Sequence, residues 1–216
     1  MKLVIGNKNY SSWSLRAWFM LSAYNIPFEE IRVPLYAKDS TRSLIEYSAA
    51  AKVPVLQDND AIIWDSLAIC EYVSEQYLAG KGWPEDVMTR AEARSCSAEM
   101  HSSFFALRNL MPMNCRASNR KVDTSAELEK DIRRIDAMWS ELRDKHTNIG
   151  PWLFGKFSIA DCMYAPVVMR FATYNVLVSD ASNDYISTLK AHSKIQTWLE
   201  QAKLETETIE SEEVGM

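Results

Sequence analysis

The chain has 216 residues, 47% of them apolar and 11% aromatic, including seven Trp, a composition that can bury a real core without metal or disulfide staples and that excludes disorder or a coiled coil for the bulk. The formal charge of -5 is concentrated at the end, where Glu205, Glu207, Glu210, Glu212 and Glu213 stand with no Lys or Arg among them; the body is close to neutral and has no basic stripe to meet phosphates, so no nucleic-acid partner is expected. Cys70, Cys96, Cys115 and Cys162 are widely spaced, with no C-x-x-C pair and no Cys/His cluster of metal-ligand spacing, and read as reduced, mostly buried thiols.

The opening Met-Lys-Leu-Val-Ile-Gly is too short an apolar run for a signal peptide. No stretch approaches the roughly 18 uncharged apolar residues of a spanning helix, so a cytoplasmic protein with no membrane partner is expected. Element types then alternate: Leu3 to Gly6 as a strand, Trp13 to Tyr24 as a helix, Phe28 to Val33 as a strand and a short helix around Thr41 to Tyr47. Strands near Val55 to Gln57 and Ala61 to Trp64 lead into a helix from Ser66 to Leu78. This β-α-β-α-β-β-α order suggests a mixed four-stranded sheet with helices on its faces.

Gly80-Lys-Gly82-Trp-Pro84 is the one Gly/Pro cluster between long helical patterns, and it places a domain boundary there. Beyond it Leu128, Ile132, Ile135, Trp139 and Leu142 recur at offsets of 4, 3, 4 and 3, the stripe of an amphipathic helix, and a helical second domain follows. Ser158-Ile-Ala-Asp161 fits a capping box, with Phe157 and Cys162 as its hydrophobic staple. Pro166 is expected to kink or interrupt that helix. The acidic segment from 205 to 216 reads as a solvated, frayed tail.

Three segments carry possible chemistry. Asn9-Tyr10-Ser11-Ser12-Trp13-Ser14-Leu15-Arg16 puts two hydroxyls where a helix begins, at the carboxyl end of the first strand where α/β sheets bind ligands; a plain helix cap is the simpler role for Ser12. Lys52-Val53-Pro54-Val55 puts a proline directly before a strand, a position it tolerates, and a cis Val53-Pro54 bond would turn the Val53 backbone toward a ligand. Asp65-Ser66 caps a helix whose free N–H groups and dipole favour a carboxylate, with Asp65 placed to take an ammonium beside it. A small zwitterionic peptide fits both groups.

Together with Phe157-Ser158-Ile159-Ala160-Asp161, these pieces resemble cytosolic glutathione transferases in the same order along the chain. The resemblance implies a thioredoxin-like α/β domain over 1–80, an all-helical domain over 85–204 and glutathione as co-substrate. It implies that Ser11 or Ser12 hydrogen-bonds the glutathione sulfur. Val53 before a cis Pro54 would pair its backbone with the cysteinyl part, Asp65 and Ser66 would hold the γ-glutamyl end, and Lys52 would reach the glycyl carboxylate.

Ser-Ser-Trp-x-x-Arg is similar to the zeta-class Ser-Ser-Cys-x-x-Arg run, whose owners isomerise maleylacetoacetate, but Trp13 replaces the Cys. Ser11 matches zeta and tau spacing to the Arg, and Ser12 matches theta and phi spacing. A second, electrophilic substrate is expected between the domains, against Trp13, Phe104 and Arg108, with Glu99 and His101 as further polar groups on a helix running from Glu99 to Arg108. The resemblance implies a homodimeric glutathione transferase that conjugates, isomerises or dehalogenates a small electrophile. The competing expectation is a binding module of the same fold, such as the stringent-starvation proteins that contact RNA polymerase.

Overall fold

The computed structural model describes residues 1–37 and 39–216. Strand β1 (Lys2–Ile5) pairs in parallel with β2 (Glu29–Arg32), in register Leu3 to Glu30, and antiparallel with β3 (Val55–Asp58), in register Leu3 to Leu56. Strand β4 (Ala61–Trp64) pairs antiparallel with β3, and the order across the sheet is β2-β1-β3-β4. Asn59, at φ +50°, turns the β3–β4 hairpin, a conformation that Asn tolerates better than most side chains. In β1 the run Leu3, Val4 and Ile5 is buried on both faces, as suits a strand flanked on both sides.

Helix α1 (Ser12–Ala23) links β1 to β2, α2 (Ser40–Ile45) follows β2, and α3 (Ser66–Leu78) follows β4. The expected alternation of elements is therefore present in the expected order. After the Gly/Pro segment come α4 (Val87–Ser102), α5 (Phe105–Leu110), α6 (Ala126–His146), α7 (Ile159–Thr173), α8 (Asp180–Ala191) and α9 (Ser193–Leu204). Among the described residues no helix is long and apolar enough to cross a membrane.

Helix α7 is the hub: all of its residues except Ala172 are buried, and it packs on α1, α4 and α8. The contact of α1 with α7 joins the sheet-bearing part to the helical part, and so fixes the walls of the cleft between them. The α6 stripe turns inward as its spacing requires, with Leu128, Ile135, Trp139 and Leu142 buried and Ile132 packed at the edge; each such side chain contributes about 1.5–3 kcal/mol. At the start of α7, Asp161 accepts from the Ser158 N–H at 2.8 Å and, with its other oxygen, from the Leu153 N–H at 3.2 Å. Burial pushes the Asp161 carboxyl up to about 6 against the pull of these hydrogen bonds.

Two expectations need correction. Of the two outcomes expected at Pro166, interruption does not occur: Pro166 lies inside α7 and the helix continues to Thr173, because a buried helix packed on several sides is held together past one missing N–H. The acidic end, expected as a solvated tail, is folded back on the body. The Glu205 carboxylate accepts from the Lys8 N–H at 2.7 Å and the Asn9 N–H at 3.0 Å. Glu213 accepts from Tyr10 Oη at 2.6 Å, Asn114 Nδ2 at 2.9 Å and Arg120 at 2.6 Å, and Ile209 is buried. The carboxylates that looked like solvating charge meet backbone and guanidinium donors from far along the chain.

Candidate functional site

The loop after β1 sets up the site. Ser11 is the N-cap of α1, and its Oγ donates to Ser14 Oγ at 2.7 Å, which in turn accepts from the Gly6 N–H at 3.0 Å. The loop itself is pinned by Asn7, whose Oδ1 accepts from the Leu35 N–H at 2.7 Å, and by Asn9, whose Oδ1 accepts from the Arg116 N–H at 2.8 Å. Ser12 is half-buried, and among the described residues its hydroxyl makes no hydrogen bond. Both serines face a cleft of about 570 Å³ between the sheet-bearing part and the helices.

An adjoining recess is formed by Trp13, Lys52, Val53, Pro54, Trp64, Asp65 and Ser66. Trp13, Lys52 and Val53 line both spaces. The Val53–Pro54 bond is cis, and Val53 precedes the ladder, which begins at Val55. Asp65 caps α3, accepting from the Leu67 N–H at 2.9 Å and the Ala68 N–H at 3.2 Å, and does so at φ +77°. A non-glycine residue held there costs about 1–3 kcal/mol, and such outliers cluster at ligand sites. Ser66 is 1% exposed, and its Oγ has no hydrogen-bond partner among the described residues. A buried hydroxyl left alone at a helix N-terminus matches a ligand that supplies an acceptor.

Helix α4 reaches into this corner: His101 Nε2 lies 3.2 Å from Asp65 Oδ2, and its ring meets Trp13 edge-on at 5.3 Å. Burial pulls the His101 pKa below its ordinary value; Asp65 opposes this, and Arg16 and Arg108 add to it. Trp13 also carries the guanidiniums of Arg16 and Arg108 on its ring, at 4.4 Å and 4.7 Å. Arg16 is almost wholly buried and donates to the Met163 carbonyl at 3.1 Å. Burial, with the positive charges of Arg108 and Arg170 behind it, lowers the Arg16 pKa to about 9.

The expected residues thus gather as one constellation, with one exception. Ser11, Ser12, Trp13, Lys52, Val53 and Arg108 line the cleft, and Pro54, Asp65 and Ser66 complete the recess. Phe104 is not on the wall: it is 4% exposed, in the core, while Phe105 is 65% exposed and faces the cleft. The helix expected from Glu99 to Arg108 breaks at Ser103 and Phe104, where Phe104 takes φ +60°, and the break changes which residue faces outward. Arg16, Arg170, Tyr10 and Glu212 also line the cleft without having been assigned to it. Arg170 had a readable signal, as the one cation in the apolar run from Ile159 to Thr173.

This fold and this constellation coincide with two family matches. Residues 10–76 match the glutathione S-transferase N-terminal domain, and residues 123–201 match the glutathione S-transferase C-terminal domain. The two spans take in most of the chain, which belongs to the glutathione transferase family. It is 35% identical over 100 residues to a probable maleylacetoacetate isomerase of Caenorhabditis elegans, a match covering 46% of this chain and 47% of that protein. The matched segments span less than half the length of the first curated relatives.

Among solved structures, a Burkholderia glutathione transferase homologue with bound glutathione superposes with a TM-score of 0.70 at 23% identity, covering 94% of this chain and 97% of that one. The holo structure of a bacterial maleyl pyruvate isomerase, a zeta-class transferase, superposes with a TM-score of 0.73 at 20% identity, covering 96% and 100%. At these identities the likeness speaks for the fold.

Proposed function

We propose that the chain is an enzyme that binds glutathione in the recess and holds its thiol as thiolate for attack on a small electrophile in the cleft. The observation that carries this reading is the buried, unpartnered Ser66 hydroxyl at the start of α3, beside an Asp65 held in a rare backbone conformation. Together they offer a carboxylate site and an ammonium site side by side, as the γ-glutamyl end of glutathione requires. Lys52 serves the glycyl carboxylate, and the Val53 backbone serves the cysteinyl amide.

A free thiol with a pKa of about 8.5 is about 3% ionised at pH 7; lowering it by roughly two units, about 2.7 kcal/mol, makes thiolate the major form. One hydrogen bond to a charged group supplies about 1.5–3 kcal/mol, with a fraction more from a helix N-terminus. A serine hydroxyl therefore suffices. Its proton stays on oxygen, and the thiol proton leaves to water. Ser11 has to release Ser14 Oγ to donate to sulfur, whereas Ser12 releases nothing.

Conjugation, isomerisation and dehalogenation all start from this thiolate. The same reading includes a cytoplasmic homodimer, and the apolar Ile62 and Trp64 exposed on the edge strand β4 suit a partner surface. The test is retention on immobilised glutathione together with turnover of chlorodinitrobenzene or maleylacetone. Retention with turnover by either substrate supports the reading, and failure of both overturns it.

A further inference from the structure

A second cavity, of about 450 Å³, shares no lining residue with the cleft or the recess. It lies where the segment between α3 and α4 meets the end of α6 and the loop leading into α7. Trp83, Ile149, Phe154 and Phe157 give it an apolar wall. Trp83 and Phe154 are buried while Ile149 is 58% exposed, so this wall runs from the core out to solvent. Gly155, at φ +79°, holds Ile149 in place: a Cβ there would stand 2.5 Å from the Ile149 Cβ, and only a residue without one fits.

The uncharged polar side chains on this wall are satisfied within the protein, with one exception. The Tyr24 hydroxyl is engaged at the Phe157 and Lys81 carbonyls, at 3.1 Å and 3.2 Å, and the hydroxyls of Thr89 and Ser158 donate to Asp86 at 2.9 Å and to Asp161 at 3.2 Å. The exception is His146, on the last turn of α6. It is 6% exposed, its Nε2 has no hydrogen-bond partner among the described residues, and its ring packs against that of Phe154 at 5.4 Å. Burial lowers its pKa; Lys145 and Arg143 add to this and Glu92 opposes it. The ring is therefore neutral at neutral pH, with one nitrogen a donor and the other an acceptor. A polar group buried without a partner is costly, and a ligand that supplies the partner removes the cost.

We propose that this cavity binds a small, uncharged aromatic molecule bearing a hydroxyl group, its ring against Trp83, Phe154 and Phe157 and its hydroxyl hydrogen-bonded to the His146 imidazole. A hydroxyl suits either ring nitrogen, because it both donates and accepts. The charge around the cavity selects against an ionised ligand. Lys81 and Lys156 are offset by Glu85 and Asp86, all four exposed, so the rim has no net sign with which to draw an anion. An aromatic wall with one placed polar group is the common plan of a small-molecule site. The proposal goes beyond the glutathione reading and does not depend on it.

The test is equilibrium dialysis of naphthol, naphthalene and naphthalenesulfonate against the full chain, with saturating S-hexylglutathione present to fill the recess and the cleft. Naphthol should bind at a single site, about three- to tenfold more tightly than naphthalene, and the sulfonate more weakly than naphthol. His146→Leu should bring naphthol down to the affinity of naphthalene while leaving naphthalene itself unmoved. Ile149→Asp should weaken both by about threefold or more. This second change is at an exposed position, so it tests the location of the site even if the histidine variant fails to fold.

Absence of naphthol binding, tighter binding of the sulfonate, or a naphthol affinity that folded His146→Leu or Ile149→Asp leaves unmoved overturns this inference alone. If S-hexylglutathione itself fails to bind, the transferase reading falls, and weaker naphthol binding in Ile149→Asp still supports the second cavity.

Discussion

Replacing Ser66 with Ala should move stability and affinity in opposite directions. The Ser66 hydroxyl is buried with no hydrogen-bond partner among the described residues, and a buried polar group left unsatisfied costs about 1–3 kcal/mol. Ala removes that cost and leaves a void of one oxygen, worth a few tenths of a kcal/mol at about 24 cal/mol per Å³. The ligand-free variant should gain about 1 kcal/mol, which in a chain of this length raises Tm by about 2–4 °C.

Binding runs the other way. A hydroxyl donating to the γ-glutamyl carboxylate contributes about 1.5–3 kcal/mol, so the Kd for glutathione should rise about tenfold or more. At a glutathione concentration about 100 times the wild-type Kd, the wild type gains about 2.7 kcal/mol and a tenfold weaker variant about 1.4 kcal/mol, so the variant's lead in Tm closes. Calorimetric melts of both proteins with and without glutathione, plus a titration of each affinity, measure these changes. A ligand-free variant that melts lower than wild type, with an unchanged Kd, refutes the reasoning.

Other predictions concern the nucleophile, the histidine and the capping box. Whichever of Ser11→Ala and Ser12→Ala removes the sulfur's donor should raise the thiol pKa of bound glutathione by about two units, read from the ultraviolet absorbance of the thiolate, and cut kcat/KM about twenty-five-fold at pH 7; Ser11→Ala should also cost about 1 kcal/mol of stability as a lost N-cap, measured by urea unfolding. Because the His101 pKa is lowered in the folded protein, the unfolded chain takes up the proton first on acidification: the stability this residue contributes is present above about pH 6.5 and is lost as pH falls through its folded value. A protonated His101 beside Asp65 then competes with the glutathione ammonium, so KM for glutathione should climb on acidification, and His101→Gln should flatten that climb. Asp161→Ala strands the buried N–H groups of Leu153 and Ser158, at about 1–3 kcal/mol each; Asp161→Asn, which can still accept one of them, should recover part of the loss in a denaturant titration.

What was legible in the sequence was local. The alternation of elements along the chain and helix α6 follow from short-range periodicity, and the recess is nearly continuous in sequence, from Lys52 to Ser66, so turn and capping chemistry pointed to it directly. Phe104 shows where this stops working. Met100, Phe104 and Leu107 have helical spacing, but the spacing is satisfied by a helix that breaks and restarts, with Phe104 buried at φ +60° and Phe105 turned to the cleft. Periodicity reports which residues are apolar, and a single left-handed residue is enough to change which of them faces outward.

The acidic end shows a different limit. Five glutamates without a cation nearby in sequence read as solvated charge because the partners of the Glu205 and Glu213 carboxylates, Lys8, Asn9, Tyr10, Asn114 and Arg120, lie about 90 to 200 residues away along the chain. Three of those partners, Lys8, Asn9 and Tyr10, form the loop directly in front of Ser11. The segment that looked least structured therefore braces the proposed nucleophile loop with Glu205 and Glu213 and brings Glu212 to the cleft. The recess proposed for glutathione comes mainly from one stretch of chain, and the rest of the cleft from α1, α2, α4, α5, α7 and the C-terminal segment, which meet only in the folded protein. Under the proposed function, binding of the co-substrate is thus readable from a motif, while the choice of electrophile depends on contacts no local pattern records.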